Sequence, residues 1–210
     1  MNGLVLFGDV IRSRRNSPAA TAWLRTLRAD LMAAYPAGDR LAEFEFTQGD
    51  ELQGLLAPAA DPTPAILRAA LHPDALAMRW VVVAGSVDPG RGPATQRSGP
   101  AFIAARERLA AAAAGRRRLA VVSGDSLTDE VLDGTAPLLG TLLAELTPRQ
   151  REIGWLLLVD ELRRSEAAER LGVSRATVSV AADRAHLREL GDLARAVRLL
   201  LARATVASDA

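Results

Sequence analysis

Two sets of residues in this 210-residue chain have types and spacing suited to chemistry. The first is a pair of aspartates: Asp9, near the end of GLVLFGDVI, and Asp50, in FEFTQGDELQGLL at residues 44–56, where Glu51 follows it. Hard divalent cations take oxygen ligands and usually keep several waters and substrate phosphates, so two neighbouring aspartates are a sufficient protein share of a Mg²⁺ site. Two ions held there would clamp a triphosphate. The plainer reading of the same residues is that Asp9 caps a local turn, Asp50 is a hairpin-turn residue and Glu51 is solvated. The second set lies in SEAAERLGVSRATVS, residues 165–179, where a guanidinium and several hydroxyls follow a glycine turn.

Positioning these groups falls to a regular series of elements. GLVLFGDVI reads as a short buried strand, since its apolar run is bounded by glycine and then by Arg12, Arg14 and Arg15. Ser17-Pro18 starts a helix, and Trp23, Leu27, Leu31 and Tyr35 carry it to Pro36 at helical spacing. A hairpin at 41–57 follows, its strands flanking the Gly49-Asp50-Glu51 tip. Thr63-Pro64 opens a helix that Pro73 stops, and β-branched MRWVVVAGSV reads as a central strand. After a Gly/Pro-rich loop, AFIAARERLAAAAAG is a helix closed by Gly115, and RRRLAVVSGD supplies one more strand. Residues 125–145 read as helical only over Leu138–Leu146. This order predicts an α+β sandwich, one sheet with helices on one face. Two strands joined by a helix and paired centrally would bring Asp9 and Asp50 to the same end of that sheet.

Composition narrows the choices. Hydrophobic residues make up 49% and charged residues 24%, a globular composition with no apolar run long enough to cross a bilayer, and Met1–Phe7 has no basic start. The expected location is cytoplasmic, without membrane contact. Cysteine is absent, which removes disulfides, thiolate nucleophiles and the common zinc sites. His72 and His186 lack companion ligands and read as structural or solvated. The formal net charge is +1, divided as −1 over residues 1–145 and +2 over 146–210, so charge alone does not demand a polyanionic partner.

FGDVI, TQGDELQG, MRWVVVAGSV and RSGPAFIAARERL together resemble the SatD-like family of bacterial proteins. Beyond it they are similar to the palm-type core of class III nucleotidyl cyclases and GGDEF domains, over roughly residues 3–124. The resemblance implies a cyclase-like palm (ferredoxin-like) sandwich in which Asp9 and Asp50 match the two metal-binding aspartates and Arg106 the arginine of the cyclase helix. It also marks two departures. Phe46 stands where cyclases keep the base-reading Lys or Glu, and Phe102 where they keep the transition-state asparagine, which removes base readout and part of the charge stabilisation. A nucleotide-like pocket is implied more than turnover. Arg12, Arg14 and Arg15 after the first strand, and Arg97 with Ser98 before the Gly99 helix start, have the chemistry to bind phosphates; singly, each also suits a solvated face.

The C-terminal third reads as helices only. Thr147-Pro148 opens one, Ser165 begins a second with Ala168 and Leu171 inward, Gly172 makes a tight turn, and Ser174 caps a third. SEAAERLGVSRATVS resembles the helix-turn-helix of sigma-region-4-like and LuxR-like regulators, whose final helix enters the major groove. By position in that pattern, base recognition falls to Ser174, Arg175, Thr177, Val178 and Ser179, with Arg184 toward phosphates. A plain helical bundle would use the same core. In the last segment Leu187, Leu190, Ala194, Val197, Leu201 and Ala204 form a stripe at near 3.5-residue spacing, suited either to a partner helix or to packing within its own domain.

The expected organisation is a nucleotidyl-cyclase-like ligand-binding domain over 1–140 and an all-α helix-turn-helix domain over 145–210 that ends in a dimerisation helix. The expected function is a homodimeric transcriptional regulator that binds double-stranded DNA and senses a nucleotide or related phosphorylated ligand, with Mg²⁺. The alternative is an active metal-dependent nucleotidyl cyclase or phosphoryl-transfer enzyme, motivated by Asp9, Asp50 and Arg106.

Overall fold

The structure is a computed structural model that describes residues 1–13, 17–47 and 50–208, with side chains described through Ala204. The apolar run at the N-terminus forms β1 (Asn2–Val10), which occupies the middle of a five-stranded sheet. Around it lie β2 (Arg40–Phe46), β3 (Glu51–Leu56), β4 (Met78–Ser86) and β5 (Leu119–Val122), in the order β2-β3-β1-β4-β5. β1 is antiparallel to both neighbours, with Asp9 opposite Glu51 on β3 and opposite Arg79 on β4. β5 alone adds in parallel, pairing Trp80 with Leu119. Gly54 on β3 accepts the ring of Phe44 so closely that a Cβ there would lie 2.2 Å from it.

Helices cover both faces of the sheet, which corrects the expectation of a single covered face. Along β1 the alternating residues are apolar on both sides: Leu4, Leu6 and Val10 join one buried cluster, Val5 and Phe7 another. A strand patterned in this way needs cover above and below. One face receives α1 (Ser17–Ala34), α2 (Thr63–Leu71) and α4 (Ser126–Glu145). The opposite face receives α3 (Pro100–Ala114), which lies down through Ala101, Phe102, Ala105, Leu109 and Ala112. Trp23, Leu24, Leu27 and Leu31 of α1 are buried at helical spacing, each removal from water contributing about 1.5–3 kcal/mol for a large aliphatic side chain.

α4 is a second correction: it is one continuous helix from Ser126, longer than the Leu138–Leu146 stretch expected. Asp125 caps it by accepting from the Thr128 backbone N–H at 2.8 Å. Pro137 sits inside and forfeits one helical hydrogen bond. The buried face through Leu132, Ala136, Leu139 and Leu143 outweighs that loss.

The remaining helices are α5 (Pro148–Gly154), which continues through a π turn at Trp155–Val159, then α6 (Arg164–Leu171), α7 (Arg175–Arg184) and α8 (Leu187–Ser208). Their apolar residues belong to the same buried cluster as the sheet's α1 face, so Leu4 and Leu6 share one core with Ile153, Val178, Leu190 and Val197. His72 lies between Trp23 of α1 and Trp155 of the π turn, tilted against the first and edge-on to the second, with ring centroids 5.1 and 5.2 Å away, and these ring contacts join the two parts. The α8 stripe is a third correction. Leu187, Leu190, Ala194, Val197, Leu201 and Ala204 are buried within the chain, where α8 packs chiefly on α4, so the stripe is not a free seam for a partner helix. The stripe served both readings in sequence because spacing does not say which helix it faces.

Candidate functional site

At the Asp9 end of the sheet, three adjacent strands present a row of charges on the face that carries α3. Side chains two apart on a strand share a face, so Asp9 lies on the side of Phe7, and its cross-strand partners Glu51 and Arg79 lie on that side with it. Arg79 donates to Asp9 Oδ2 at 2.8 Å. Asp50 enters from the hairpin, its carbonyl accepting from the Val10 N–H at 3.0 Å and its Oδ2 from the Ser13 hydroxyl. Asp9 and Asp50 therefore adjoin, although the strand paired with β1 is β3, across the hairpin, and not β2, which α1 joins to β1. Burial and the neighbouring Asp50 carboxylate hold the Asp9 carboxyl above the usual carboxylate range, against the opposing pull of Arg79.

Glu51 completes the row: its Oε1 accepts from buried Gln53 at 2.6 Å and lies 3.9 Å from the Arg106 guanidinium. Arg106 reaches there from α3, with its guanidinium 5.6 Å from the centre of the Phe7 ring and its side chain 68% exposed. Phe102, one turn earlier, is buried edge-on against Phe7 at 5.9 Å and offers no polar group. No group of three acidic or imidazole side chains close enough to hold a metal ion exists among the described residues. The donor set on offer for a cation is thus two aspartates with water.

The other predicted phosphate ligands divide. Arg12 is exposed, adopts a left-handed backbone (φ 62°) and lies near Arg79 and Arg118 at this same end. Arg14 lies outside the described residues. Arg97 and Ser98 are corrections, because both sit at the far end of the sheet. Ser98 donates to Asp88 Oδ2 at 2.9 Å and Arg97 to the carbonyls of Leu41 and Asp88, while Val87 N–H donates to Met1 at the start of β1. Seven residues of strand separate Asn2 from Asp9, roughly 23 Å at about 3.3 Å per residue. These two side chains tie loops together and do not meet the aspartates. Conversely, Arg79, Gln53 and Ser13 were not singled out from sequence, although Gln53 follows Glu51 at the two-residue spacing of a shared strand face.

The second site is built by α6 and α7. Gly172 ends α6 with a left-handed conformation (φ 63°), where a side chain would be strained. Ser174 then caps α7 by accepting from the Thr177 N–H at 3.1 Å, and the two hydroxyls are 2.9 Å apart. α5 begins with a full capping box, Thr147 and Gln150 each bonding the other's backbone. Val178 and Ala182 point inward and fix α7 to the core. Val178 is 0% exposed, so it anchors the helix and does not contact an external ligand, a correction to its expected place among the readers. Ser174, Arg175, Thr177 and Arg184 are exposed and Ser179 partly so. Arg175 and Arg184 take part in no ion pair among the described residues. Arg184, Thr177 and exposed Val180 line a shallow depression shared with Thr147, Arg149 and Gln150 at the start of α5.

Residues 138–186 match the family Sigma-70, region 4. The match begins inside α4 and runs through α5, the π turn, α6 and α7, covering about a quarter of the chain. No curated protein matches the chain. The C-terminal segment is a region-4-type helix-turn-helix following a mixed α+β unit with a five-stranded sheet. No helix among the described residues is long and apolar enough to cross a membrane.

Proposed function

We propose that the protein is a DNA-binding transcriptional regulator whose α7 enters the major groove, and whose sheet unit senses a nucleotide or related phosphorylated ligand. The single observation that carries the first part is the exposed polar face of α7, anchored by Val178 behind and capped by Ser174, in a segment that matches Sigma-70, region 4. Arg175 suits guanine edges, Ser174 and Thr177 suit base or backbone, and Arg184 suits a phosphate. The test is a binding titration of promoter fragments at several salt concentrations. Arg175→Ala should weaken specific binding by about 1–3 kcal/mol. Parent protein without affinity for any fragment at low salt would reject the reading.

For the sheet unit, the support is the adjoining Asp9 and Asp50 and the exposed Arg106 beside them. The two aspartates would hold Mg²⁺, which supplies positive charge to phosphate oxygens. Arg106 would approach those oxygens, and Arg12 at the same end would add a second cation. The wiring β1-α1-β2-β3-α2-β4 with strand order β2-β3-β1-β4 is that of a ferredoxin-like split βαβ unit, which favours the palm reading. Two protomers reading paired half-sites would suit such a sensor, though the α8 stripe is unavailable for pairing them.

The like-charged Asp9, Asp50 and Glu51 also favour a second reading, a metal-dependent nucleotidyl cyclase or phosphoryl-transfer enzyme. Incubation with nucleoside triphosphates and Mg²⁺ or Mn²⁺ separates the two. A cyclic or cleaved product that disappears in Asp50→Asn establishes the enzyme; ligand-induced thermal stabilisation without product favours the sensor.

A further inference from the structure

Away from both sites, a cavity of about 90 Å³ lies between α2, the segment entering β4, the β4–β5 edge, α4 and the start of α5. Its walls are apolar, with Ile66, Leu76 and Leu143 among them and several alanines between. Three donors break that pattern. Trp80 lines the cavity, is 4% exposed, and its indole N–H is buried without a hydrogen-bond partner. A buried donor left unpaired costs on the order of 1–3 kcal/mol, a cost that an acceptor inside the cavity would remove. Arg118 and Arg151 also line it, and neither is in an ion pair among the described residues. The Arg151 side chain donates to the Leu146 carbonyl, at 3.1 Å. Arg118 is adjacent to Trp80, whose backbone N–H donates to the Arg118 carbonyl at 2.9 Å. Burial lowers the Arg118 guanidinium from its ordinary value, and the nearby Arg79 and Arg12 cations lower it further, the signature of a cation lacking its counter-ion. No acidic residue lines the cavity.

An apolar body with an anionic head is the complement of this arrangement. The volume bounds the body: a void of about 150 Å³ accepts a benzene ring, so a smaller one suits a chain of about four or five carbons. Among anions, a carboxylate matches the planar guanidinium fork and has a second oxygen for the indole N–H. We infer that this cavity is a binding site for a short-chain monocarboxylate, its alkyl chain among Ile66, Leu76 and Leu143 and its carboxylate received by Trp80 Nε1 and Arg118, with Arg151 at hand from α5. The site is separate from the acidic row, since Trp80 faces the α1 side of the sheet and Asp9 the α3 side. Gly140, Leu143 and Arg151 belong to the segment that matches Sigma-70, region 4, so an occupant would touch both the sheet and the first helices of that segment.

The test titrates the full-length protein with butyrate, 1-butanol and acetate at constant ionic strength. The readouts are the Trp80 indole ¹⁵N–¹H resonance, assigned by its loss in Trp80→Phe, and the melting temperature. Butyrate should shift that resonance saturably and raise the melting temperature, with 1-butanol and acetate at least about tenfold weaker, as expected when a charge-assisted hydrogen bond or the apolar contact is missing. Arg118→Gln, at a partly exposed position, should weaken butyrate about tenfold while the melting temperature of the free protein stays close to the parent's. Ala70→Leu, which fills the void, should abolish the shift; if that variant does not fold, Arg118→Gln decides alone. Equal binding of butanol and butyrate, unchanged by Arg118→Gln, would overturn the proposal in favour of a plain apolar void. A Trp80 resonance that exchanges with water and ignores all three solutes would overturn it in favour of a hydrated hole.

Discussion

The acidic end of the sheet and the outer face of α7 handle charge in opposite ways. At the sheet, the acidic side chains are answered from within: Arg79 holds Asp9, Ser13 holds Asp50, and Gln53 and Arg106 share Glu51. On α7, Arg175 and Arg184 stand without a carboxylate among the described residues, and the hydroxyls of Ser174 and Thr177 face outward above a buried Val178. The difference teaches where each site's partner must come from. A ligand at the sheet has to add to, or displace, contacts already made, so its affinity depends on what it offers the aspartates beyond Arg79. A polyanion at α7 meets two guanidiniums with no ion pair among the described residues, while the Ser174 and Thr177 hydroxyls are already engaged in the cap, and its attraction should be steeply dependent on salt.

The sharpest way to break this contrast is at the anchor of α7. Val178→Asp places a carboxylate among apolar neighbours and should lower stability by about 3–5 kcal/mol in denaturant unfolding, because the charge has no partner there. A loss of less than 1 kcal/mol would mean that the residue faces solvent after all. Leu190→Ala comes next, at about 2–5 kcal/mol for a fully buried leucine, read by denaturant unfolding. A loss of less than about 1 kcal/mol would mean that the α8 stripe does not pack within the chain. Ser174→Ala removes the cap of α7 and should cost about 1 kcal/mol, seen as earlier loss of helical signal on heating.

The smallest effect concerns Asp9. Its carboxyl titrates higher in the folded chain than the ordinary 3.8, so folding disfavours the ionised form: the cost is absent below 3.8 and complete once pH exceeds the raised value. Asp9→Asn keeps an oxygen for Arg79 and should melt slightly higher than the parent at pH 7, with the gap closing as pH falls toward 3.8. A gap of constant size across that range would assign the effect to the Arg79 contact and not to ionisation.

Much of the architecture was legible in the order of residues. Each of the five strands and the helices α1, α2 and α3 follow from local signals: the β-branched runs, Ser17-Pro18, Thr63-Pro64 and the Gly115 stop. The helix-turn-helix was equally readable, because Gly172 and Ser174 mark backbone needs that few other residues meet. What failed were questions of facing. Periodicity put Val178 on the recognition helix but not on its inner side, and it assigned the α8 stripe to contact without naming the neighbour. Arg97 and Ser98 were grouped with Asp9 by chemistry alone, yet the reversal of chain direction between β1 and β4 sends them to the other end of the sheet. Pro137 hid the length of α4, because a helix breaker is overruled when the buried face on either side is long enough.

The single core shared by the sheet and the C-terminal helices also limits what engineering or evolution can do with the chain. Leu143, Leu146, Ile153 and Leu156 pack in the same oily mass as Leu71, Leu119 and Val121, and scissors placed at residue 145 would leave raw apolar surface on each fragment. The reading head is not a cassette on a tether. Any message from one half to the other would travel as a small slide of tightly packed helices, and a graft of residues 145–210 onto a foreign sensor would have to bring its own matching floor.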